Sequence, residues 1–490
     1  MTVLTLIWIA LPLFLGFSIV LFPKGDRLFA LLSALASAGY GLGCIFAFEP
    51  VTLTLIDNFG VTLMIDALSG YFVLTNAIVT ASVVLYCWND RTTEGSTAFF
   101  YTQVAILHGS VNAAFVCADF ISLYVALEVM SIAAFLLIAY SRKAKSIWIG
   151  LRYLMVSNVV MLLYLLGVAL VYQSSHSFMY EGLRRAPVEA IALIFLGLLA
   201  KGGVFISGLW LPLTHAESKT PVSALLSGVV IKSGIFPMVR CALLIEEISP
   251  VVQLFSAGTV LLGTVSVVLQ KDTKRTLAFS SISQMGFVLA VPALAGLYAL
   301  SHGLAKATLF LSAGSLPSRS FLELKRLRTP WMLWGVIAIA GLSLCGFPLL
   351  AGFNAKSLVS SEASLWLSAI LTVGSVGSAI AFSKFLFIPV GSSVKPTNYK
   401  NLWLAVGLLL ISLCVLGLTH LESYTTKNII KALLTATAGS VTYFLFFRND
   451  RWYLPQAPEK LEHLIGSMSI VLILLWTIFG AIGQWQPFSI

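Results

Sequence analysis

Six ionisable side chains lie inside long apolar stretches that are otherwise typical of membrane-spanning helices. Five are lysines and one is a glutamate: Lys201, Lys232, Lys306, Lys356, Lys384 and Glu128. A charge at the centre of a bilayer costs at least about 2.5 kcal/mol, so a chain cannot turn six of them toward lipid. Each must face a protected interior. Because a lysine gives up its proton on burial far more readily than an arginine, the pattern predicts a proton-carrying path through a large helical membrane protein.

The composition agrees with a polytopic membrane protein. Of the 490 residues, 58% are hydrophobic and 10% are charged, whereas about 25% are charged in soluble domains. The net charge of +10 comes with no basic run flanked by aromatic residues, so we expect no nucleic-acid partner. The six cysteines show no C-x-x-C spacing, which argues against an iron–sulfur cluster or a disulfide framework. No nucleotide-binding or zinc-protease motif occurs. We therefore expect no catalytic residue, no cofactor and no enzyme activity of the chain by itself.

A spanning length of about 20 apolar residues divides the chain into as many as sixteen segments. The fold class is thus predicted to be all-α and polytopic, with about 14–16 transmembrane helices. The first segment lacks a basic leader and an A-x-A cleavage site, so it is expected to stay as a helix. The predicted segments are 1–22, 28–49, 62–88, 97–118, 119–140, 147–172, 187–212, 220–245, 250–270, 274–293, 296–316, 331–361, 365–388, 402–420, 428–447 and 463–484.

The distribution of lysine and arginine predicts the orientation. If loops alternate sides, twenty of these cations fall on one side and five on the other. Cytoplasmic loops carry the excess of positive charge, which places both termini on the non-cytoplasmic side. The five are Arg184, Arg185, Arg240, Lys427 and Lys431.

Two lysine-bearing segments contain residues that are expected to break a helix. Irregular backbone at membrane depth persists only where it is packed in protein or lines a hydrated cavity, and paired interrupted helices point to an ion site. The alternative is that glycine and proline are simply common in such helices and that the lysines extend to an interface. The predicted breaks are Gly202, Gly203, Gly208 and Pro212 in the seventh segment, after Lys201, and Gly346, Pro348 and Gly352 in the twelfth, before Lys356.

Glu128 and two histidines are further candidates within the apolar segments. Glu128 lies nine residues from Asp119, about 13 Å of depth, so it needs a cation such as Lys201 or a proton; the alternative is a neutral, packed glutamate. His302 precedes Lys306 by four residues and shares its helix face, which favours a relay over a packing role. His108 has no such neighbour, and a packing role is favoured.

The stretch W-L-P-L-T-H-A-E-S-K-T-P-V-S-A-L-L-S-G-V-V-I-K-S-G-I-F at 210–236 resembles the signature of antiporter-like subunits. These subunits are shared by Mrp cation/proton antiporters, proton-pumping NADH dehydrogenase (complex I) and membrane-bound hydrogenases. The stretches at 271–287 and 301–315 and the helix around Glu128 agree with that family. The resemblance covers roughly residues 60–390. It implies two five-helix inverted repeats, and hence the regions 1–96, 97–245, 250–390 and 402–490.

The resemblance also implies roles for individual residues. Glu128 and Lys201 match the acid–base pair of the first half, and Lys232, Lys306 and Lys356 match relay positions that lead to the exit of the second half. Ser227 stands where many relatives carry a histidine, which leaves the relay to Lys232 and bound water. Lys384 matches a basic position after the second break, with an interfacial role as the alternative. Asp66 matches a family position that is read as structural.

Within the superfamily, the D-type subunit of Mrp antiporters agrees with the length, the tight loops and the short connection at 448–460. This resemblance implies exchange of protons for a monovalent cation, sodium being favoured, in a complex with other membrane subunits of a prokaryotic cytoplasmic membrane. The alternative is a proton-pumping subunit of an NADH dehydrogenase or hydrogenase. A passive structural subunit would leave the buried lysines unexplained. No set of sodium or metal ligands can be chosen, and the cation path could lie in a partner subunit.

Overall fold

The computed structural model describes residues 2–56, 60–89, 97–391, 400–448 and 460–482, which are almost entirely helical. In this part of the chain twelve helices are long and apolar enough to cross a membrane, and shorter apolar helices lie at Trp331–Cys345 and Asn401–Gly417. Each of the sixteen predicted segments overlaps a helix, so the all-α polytopic fold is confirmed. The two inverted repeats and the four regions stay predictions.

The helices follow one another with short connections. They are α1 (Thr2–Leu21), α2 (Asp26–Phe46), α3 (Ala67–Tyr86), α4 (Thr97–Ala114), α5 (Phe120–Ile138), α6 (Ala144–Ser175), α7 (Val188–Gly202), α8 (Leu211–Glu217), α9 (Thr220–Leu225), α10 (Lys232–Leu244), α11 (Ser249–Val268), α12 (Thr273–Ala290), α13 (Ala295–Ala313), α14 (Phe321–Leu324), α15 (Trp331–Cys345), α16 (Ala351–Glu362), α17 (Leu365–Leu386), α18 (Lys400–Gly417), α19 (Thr426–Thr442) and α20 (Leu461–Ala481).

Burial separates central helices from peripheral ones. Residues 221–242, which include Lys232, are all buried within the protein, whereas only 11% of the most apolar stretch of the span Thr426–Phe447 is buried. Every residue of α13 is buried, including His302 and Lys306. The helices that carry Lys232 and Lys306 therefore lie at the centre of the molecule, and less buried apolar helices surround them.

A short β-hairpin precedes α3, and this corrects the prediction that the third helix begins at residue 62. Strand β1 (Val51–Ile56) pairs antiparallel with β2 (Gly60–Ile65). The helix begins only at Ala67, because the side chain of Asp66 caps it and accepts a hydrogen bond from the Ser69 amide at 2.9 Å. An aspartate at this position satisfies a backbone donor that has no partner within the helix.

Both segments that were predicted to be broken are interrupted, although the first break lies earlier than Pro212. Helix α7 ends at Gly202, the next residue Gly203 has a φ of +66°, and a 3₁₀ turn over Phe205–Trp210 leads into α8. Pro212 lies in the first turn of α8, where a missing N–H costs nothing. The second break runs from Gly346, with a φ of +83°, to the start of α16.

The eighth segment contains an irregularity that was not predicted. Its helix passes from α9 into a π-helical turn over Leu226–Val230 before α10 begins at Lys232. Single π turns inside α-helices are rare and often occur at functional sites. The turn lies directly before Lys232, which is the only lysine in the segment 220–245.

The charge count behind the predicted orientation changes with the structure. Arg152, Arg240 and Lys274 are buried within helices, so they are not loop charges. The predicted cytoplasmic side therefore keeps eighteen of its twenty cations, and the other side keeps four of its five. Of these, Arg91, Lys395 and Arg451 lie outside the described residues, as does most of the connection at 448–460. The orientation of the termini stays a prediction.

Candidate functional site

Lys201 lies at the end of α7, directly before the first break, and is 4% exposed. Its ammonium group donates hydrogen bonds to the hydroxyls of Ser131 in α5 and Ser157 in α6. The same two hydroxyls are 3.2 Å apart. Beside them is a cavity of about 10 Å³, room for about one water molecule. The break thus delivers a buried ammonium group to a polar pocket between three helices.

Glu128 is the carboxylate nearest to this ammonium group, with Oε1 3.9 Å from Nζ of Lys201. That distance is an ion pair without a hydrogen bond, and Oε1 is buried with no hydrogen-bond partner among the described residues. The Glu128 side chain is 23% exposed, and its neighbours Val125 and Ile132 on α5 are more than half exposed. The structure brings the predicted pair together at the edge of the chain and not at its centre.

Lys232 and His302 lie at the centre and contact each other. Lys232 is fully buried, and its Nζ is 3.3 Å from Nδ1 of His302. The ammonium group also donates to the carbonyl oxygens of Gly228 and Ser227, both in the π turn. Nε2 of His302 has no hydrogen-bond partner within the described chain. The imidazole therefore has one nitrogen at the lysine and a second one available.

Lys306 lies one turn after His302 on α13 and is fully buried. Its ammonium group donates to the Leu277 carbonyl oxygen at 2.7 Å and to the hydroxyl of Ser280, both in α12. Ser227 does not contact a lysine through its side chain, which instead shares a hydrogen bond of 2.7 Å with Ser281. The cluster of Lys232, His302 and Lys306 thus lies on α10 and α13 and is hydrogen-bonded to α12.

Lys356 lies in α16, just after the second break, and is 9% exposed. No described residue accepts a hydrogen bond from its ammonium group, which lies 4.8 Å from the centre of the Phe287 ring. Lys356 lines a cavity of about 480 Å³. This cavity opens at the surface of the chain between α16, α17 and α19, so it leads from the surface to the lysine.

Three glycines around the breaks are required, two by close packing and one by its backbone conformation. A Cβ on Gly208 would overlap the Gly203 carbonyl oxygen, and a Cβ on Gly352 would overlap that of Ser343, far inside the 3.0 Å that real Cβ atoms keep. Gly346 is required by its positive φ, and its Cβ would lie 3.0 Å from the Lys356 side chain. Pro348 lies in the turn between α15 and α16.

Two other predicted relay residues lie in separate polar clusters. His108 is buried in α4, with Nε2 at 2.9 Å from the Ser37 hydroxyl and 3.2 Å from the Asn112 side-chain amide. Lys384 donates to the carbonyl oxygens of Val268 and Gln270, at 2.5 and 2.7 Å, at the end of α11. A cation at that place interacts favourably with the helix C-terminus.

The pairing of Asp66 with the buried Arg240 was not predicted. Arg240 is 4% exposed and donates to both carboxylate oxygens of Asp66, at 2.5 and 2.8 Å, and to the Ser69 hydroxyl at 3.0 Å. Burial alone would raise the pKa of Asp66, but the hydrogen bonds and the charge of Arg240 hold it below its ordinary value. The two residues are 174 apart in sequence, so no local pattern reveals the pair.

His215 and Gln284 were also missed. His215 is completely buried in α8 against the Phe310 ring, and neither of its ring nitrogens has a partner among the described residues. Gln284 accepts a hydrogen bond from the Tyr298 hydroxyl at 2.6 Å and donates to Ser378 at 3.1 Å. The motifs that contain both residues were recognised, but their burial could not be read from the sequence.

Comparison with known proteins places this arrangement in a family context. The profile of the family described as NADH:quinone oxidoreductase/Mrp antiporter, TM, matches residues 117–381. The chain is 28% identical over 417 residues to the D-type subunit of the Na(+)/H(+) antiporter of Alkalihalophilus pseudofirmus, covering 78% of this chain and 83% of that protein. It is 29% identical over 406 residues to the N-type subunit of the NADH-quinone oxidoreductase of Desulforudis audaxviator, covering 74% and 80%.

A solved structure shares the fold. A chain of the membrane-bound sulfane sulfur reductase, described as an archaeal respiratory membrane complex, superposes with a TM-score of 0.76 at 21% identity, covering 90% of this chain and 99% of that chain. This likeness extends well beyond the profile match, because it includes helices on both sides of residues 117–381.

Proposed function

Since the chain belongs to the NADH:quinone oxidoreductase/Mrp antiporter family, we propose that it is the proton-translocating subunit of a multisubunit antiporter. The complex exchanges protons for a monovalent cation, with sodium favoured by the name of the antiporter relative. The chain acts as a transporter subunit and not as an enzyme, in a cell membrane that it crosses many times. Both termini lie on the non-cytoplasmic side.

The observation that carries this proposal is the central cluster of Lys232, His302 and Lys306. The 3.3 Å contact between Lys232 Nζ and His302 Nδ1 allows a proton to pass directly from the ammonium group to the imidazole. Two ammonium charges in one buried cluster repel each other strongly at low dielectric. The cluster therefore releases one proton as it accepts another, which is what a carrier requires.

The two ends of the path differ in their access to water and protein. Lys356 faces the large cavity, so protons leave or enter the second half there. Lys201 receives protons at the other end, where the charge of Glu128 stabilises the ammonium form. Lys201, Lys232 and Lys306 contact hydroxyl, carbonyl or imidazole groups, whereas Lys356 at the second break faces the cavity without an acceptor among the described residues.

The position of Glu128 supports a partner subunit against α5. A carboxylate beside exposed Val125 and Ile132 would meet lipid in an isolated chain, and a charge in hydrocarbon is costly. A neighbouring membrane subunit that covers this face removes the cost. The protonation state of ionisable groups on that neighbouring subunit would then influence the Glu128–Lys201 pair.

A second function has specific support: an antiporter-like, proton-pumping subunit of a redox complex. It rests on the NADH-quinone oxidoreductase relative, whose identity and coverage nearly equal those of the antiporter relative. The same lysine path would serve both. Purification of the native complex separates the two, because iron–sulfur and quinone-site subunits would accompany the chain only in the redox complex.

The test of the proposed path uses Glu128→Ala and Lys201→Ala in the assembled complex. Membrane vesicles are acidified, and recovery of a pH-sensitive dye is followed after sodium is added. Both variants are expected to lose dye recovery while they still co-purify with the partner subunits. Glu462→Ala and Lys460→Ala at the exposed start of α20 are the controls and keep full activity. Normal recovery in either test variant removes that residue from the path.

A further inference from the structure

The cavity beside Lys356 has a one-sided charge. Its volume of about 480 Å³ lies in the range of small-molecule binding sites. Its lining contains three lysines, Lys356, Lys427 and Lys431, together with Asn428 and seven serine or threonine side chains. Among the described residues that line it there is no carboxylate. The nearest acidic residue in sequence, Glu362, is exposed and does not line the cavity.

The three lysines differ in burial and in partners. Lys356 is buried, and its ammonium group faces the cavity without a hydrogen-bond acceptor in the described chain. Lys431 is half-buried and donates to the Ser360 hydroxyl at 2.5 Å, while Lys427 is exposed at the mouth. The N-termini of α17 and α19 and the C-termini of α15 and α16 all reach the cavity. Their dipoles oppose each other, so the lysines set the net charge.

The walls of the cavity are held in place by hydrogen bonds below α19. The buried Asn354 of α16 accepts from the Ser423 hydroxyl at 2.6 Å and donates to the Gly417 carbonyl oxygen at 2.9 Å. Asn428, which lines the cavity, donates to the Ser423 carbonyl oxygen at 2.9 Å. The lysines are thus presented from a fixed frame and do not depend on a loose surface segment.

We infer that this cavity binds a phosphate-type anion, either the phosphodiester of an anionic lipid or free phosphate. Lysine is a common phosphate ligand, and a phosphate oxygen supplies the acceptor that Lys356 lacks. The exposed apolar side chains of Leu365, Trp366 and Leu434 flank the mouth. Tryptophan and lysine together are typical of the membrane–water interface, so a lipid headgroup can reach the cavity from the bilayer. Anion binding here is a property separate from the proposed transport, because binding can be measured while no ions are transported.

The test is the thermal stability of the purified complex in a neutral detergent. One arm titrates phosphatidylglycerol against phosphatidylcholine, and the other titrates inorganic phosphate against chloride at equal ionic strength. A ligand that binds only the folded state raises the melting temperature in a saturable way. Saturation by phosphatidylglycerol alone identifies the lipid, and saturation by phosphate alone or by both identifies free phosphate as a sufficient ligand.

The variants are Lys427→Gln and the double variant Lys427→Gln/Lys431→Gln. Because Lys427 is exposed, its substitution should not disturb folding. We expect the apparent affinity to fall at least tenfold in the double variant and by less in the single one. Lys24→Gln/Lys460→Gln removes two exposed lysines elsewhere and is the matched control. The inference is overturned if neither ligand gives a saturable shift, or if the double variant responds like the control.

Discussion

A single methyl group at Gly352 tests whether the second break holds Lys356 in its working position. A Cβ there would overlap the carbonyl oxygen of Ser343, and the Gly352 amide also donates to the Ser343 hydroxyl at 3.2 Å. The carbonyl oxygen and carbon of Ser343 that clash belong to the backbone, so no side-chain rotation relieves the overlap. Helix α16 must move away from the end of α15, and Lys356, four residues further along the same helix face, moves with it.

The expected magnitude follows from the kind of clash. Overpacking of this sort destabilises a protein by about 1–3 kcal/mol. Gly335 on α15 is the matched control, because a Cβ there meets no atom within 4 Å. Alanine at that helical position stabilises by about 0.5–1 kcal/mol. The same substitution should therefore differ between the two sites by about 1.5–4 kcal/mol, with opposite signs.

The assay combines thermal unfolding of the purified complex with sodium-induced dye recovery in vesicles. Gly352→Ala should melt below the wild type, and its transport rate should fall about 100-fold, the effect of a reactive group misplaced by about 1 Å. Gly335→Ala should transport normally and melt at or above the wild-type temperature. Wild-type transport in Gly352→Ala, with unchanged melting, would show that Lys356 does not depend on the contact between α15 and α16.

Three further predictions address the proton path, the cavity beside Lys356 and the pairing of Asp66 with Arg240. Lysine-to-arginine replacements are expected to stop transport, because arginine stays protonated at any accessible pH; the positions are Lys232, Lys306 and Lys356. A normal transport rate would show that these lysines are fixed charges and not proton carriers. In a chain with Cys345→Ala, Ser360→Cys and Thr372→Cys should react with a small water-soluble thiol reagent and Ile470→Cys on α20 should not; equal protection would contradict a hydrated cavity. The depressed pKa of Asp66 means that its pairing stabilises the fold above about pH 4 and that this stability is lost as pH falls through the depressed pKa. Asp66→Asn should therefore show a smaller drop in melting temperature on acidification, and parallel curves for the two proteins would refute the pairing.

Hydropathy was sufficient to find the helices because apolar length is the dominant requirement for crossing a bilayer. Hydropathy was insufficient where apolar residues form a β-strand instead of a helix. Val51–Ile56 alternates threonine with apolar residues, as a strand does, but Gly60–Ile65 is mostly apolar and a single residue, Asp66, separates it from α3. The second strand was therefore read as the first turn of the third helix, and only the capping by Asp66 marks the true start.

The candidate site shows the same division between local and distant information. Lys201 and Lys356 could be placed beside breaks because glycine acts on the backbone of its own segment. The actual break at Gly203 and Phe205 could not be separated from Pro212, since all three lie within ten residues. The pairing of Asp66 with Arg240 and the cavity between α16 and α19 depend on tertiary packing, which no single segment encodes.

The π turn over Leu226–Val230 has a consequence for chain length. Ile231 donates to the Leu226 carbonyl oxygen five residues earlier, at 3.2 Å, so this turn contains one residue more than the α-helical turn it replaces. Helix on either side keeps its facing because the extra residue is absorbed within the turn. Deleting one residue there would restore a continuous α-helix and remove the turn whose Ser227 and Gly228 carbonyl oxygens accept from Lys232. The polar surroundings of the central lysine thus depend on the number of residues in its helix as much as on their identity.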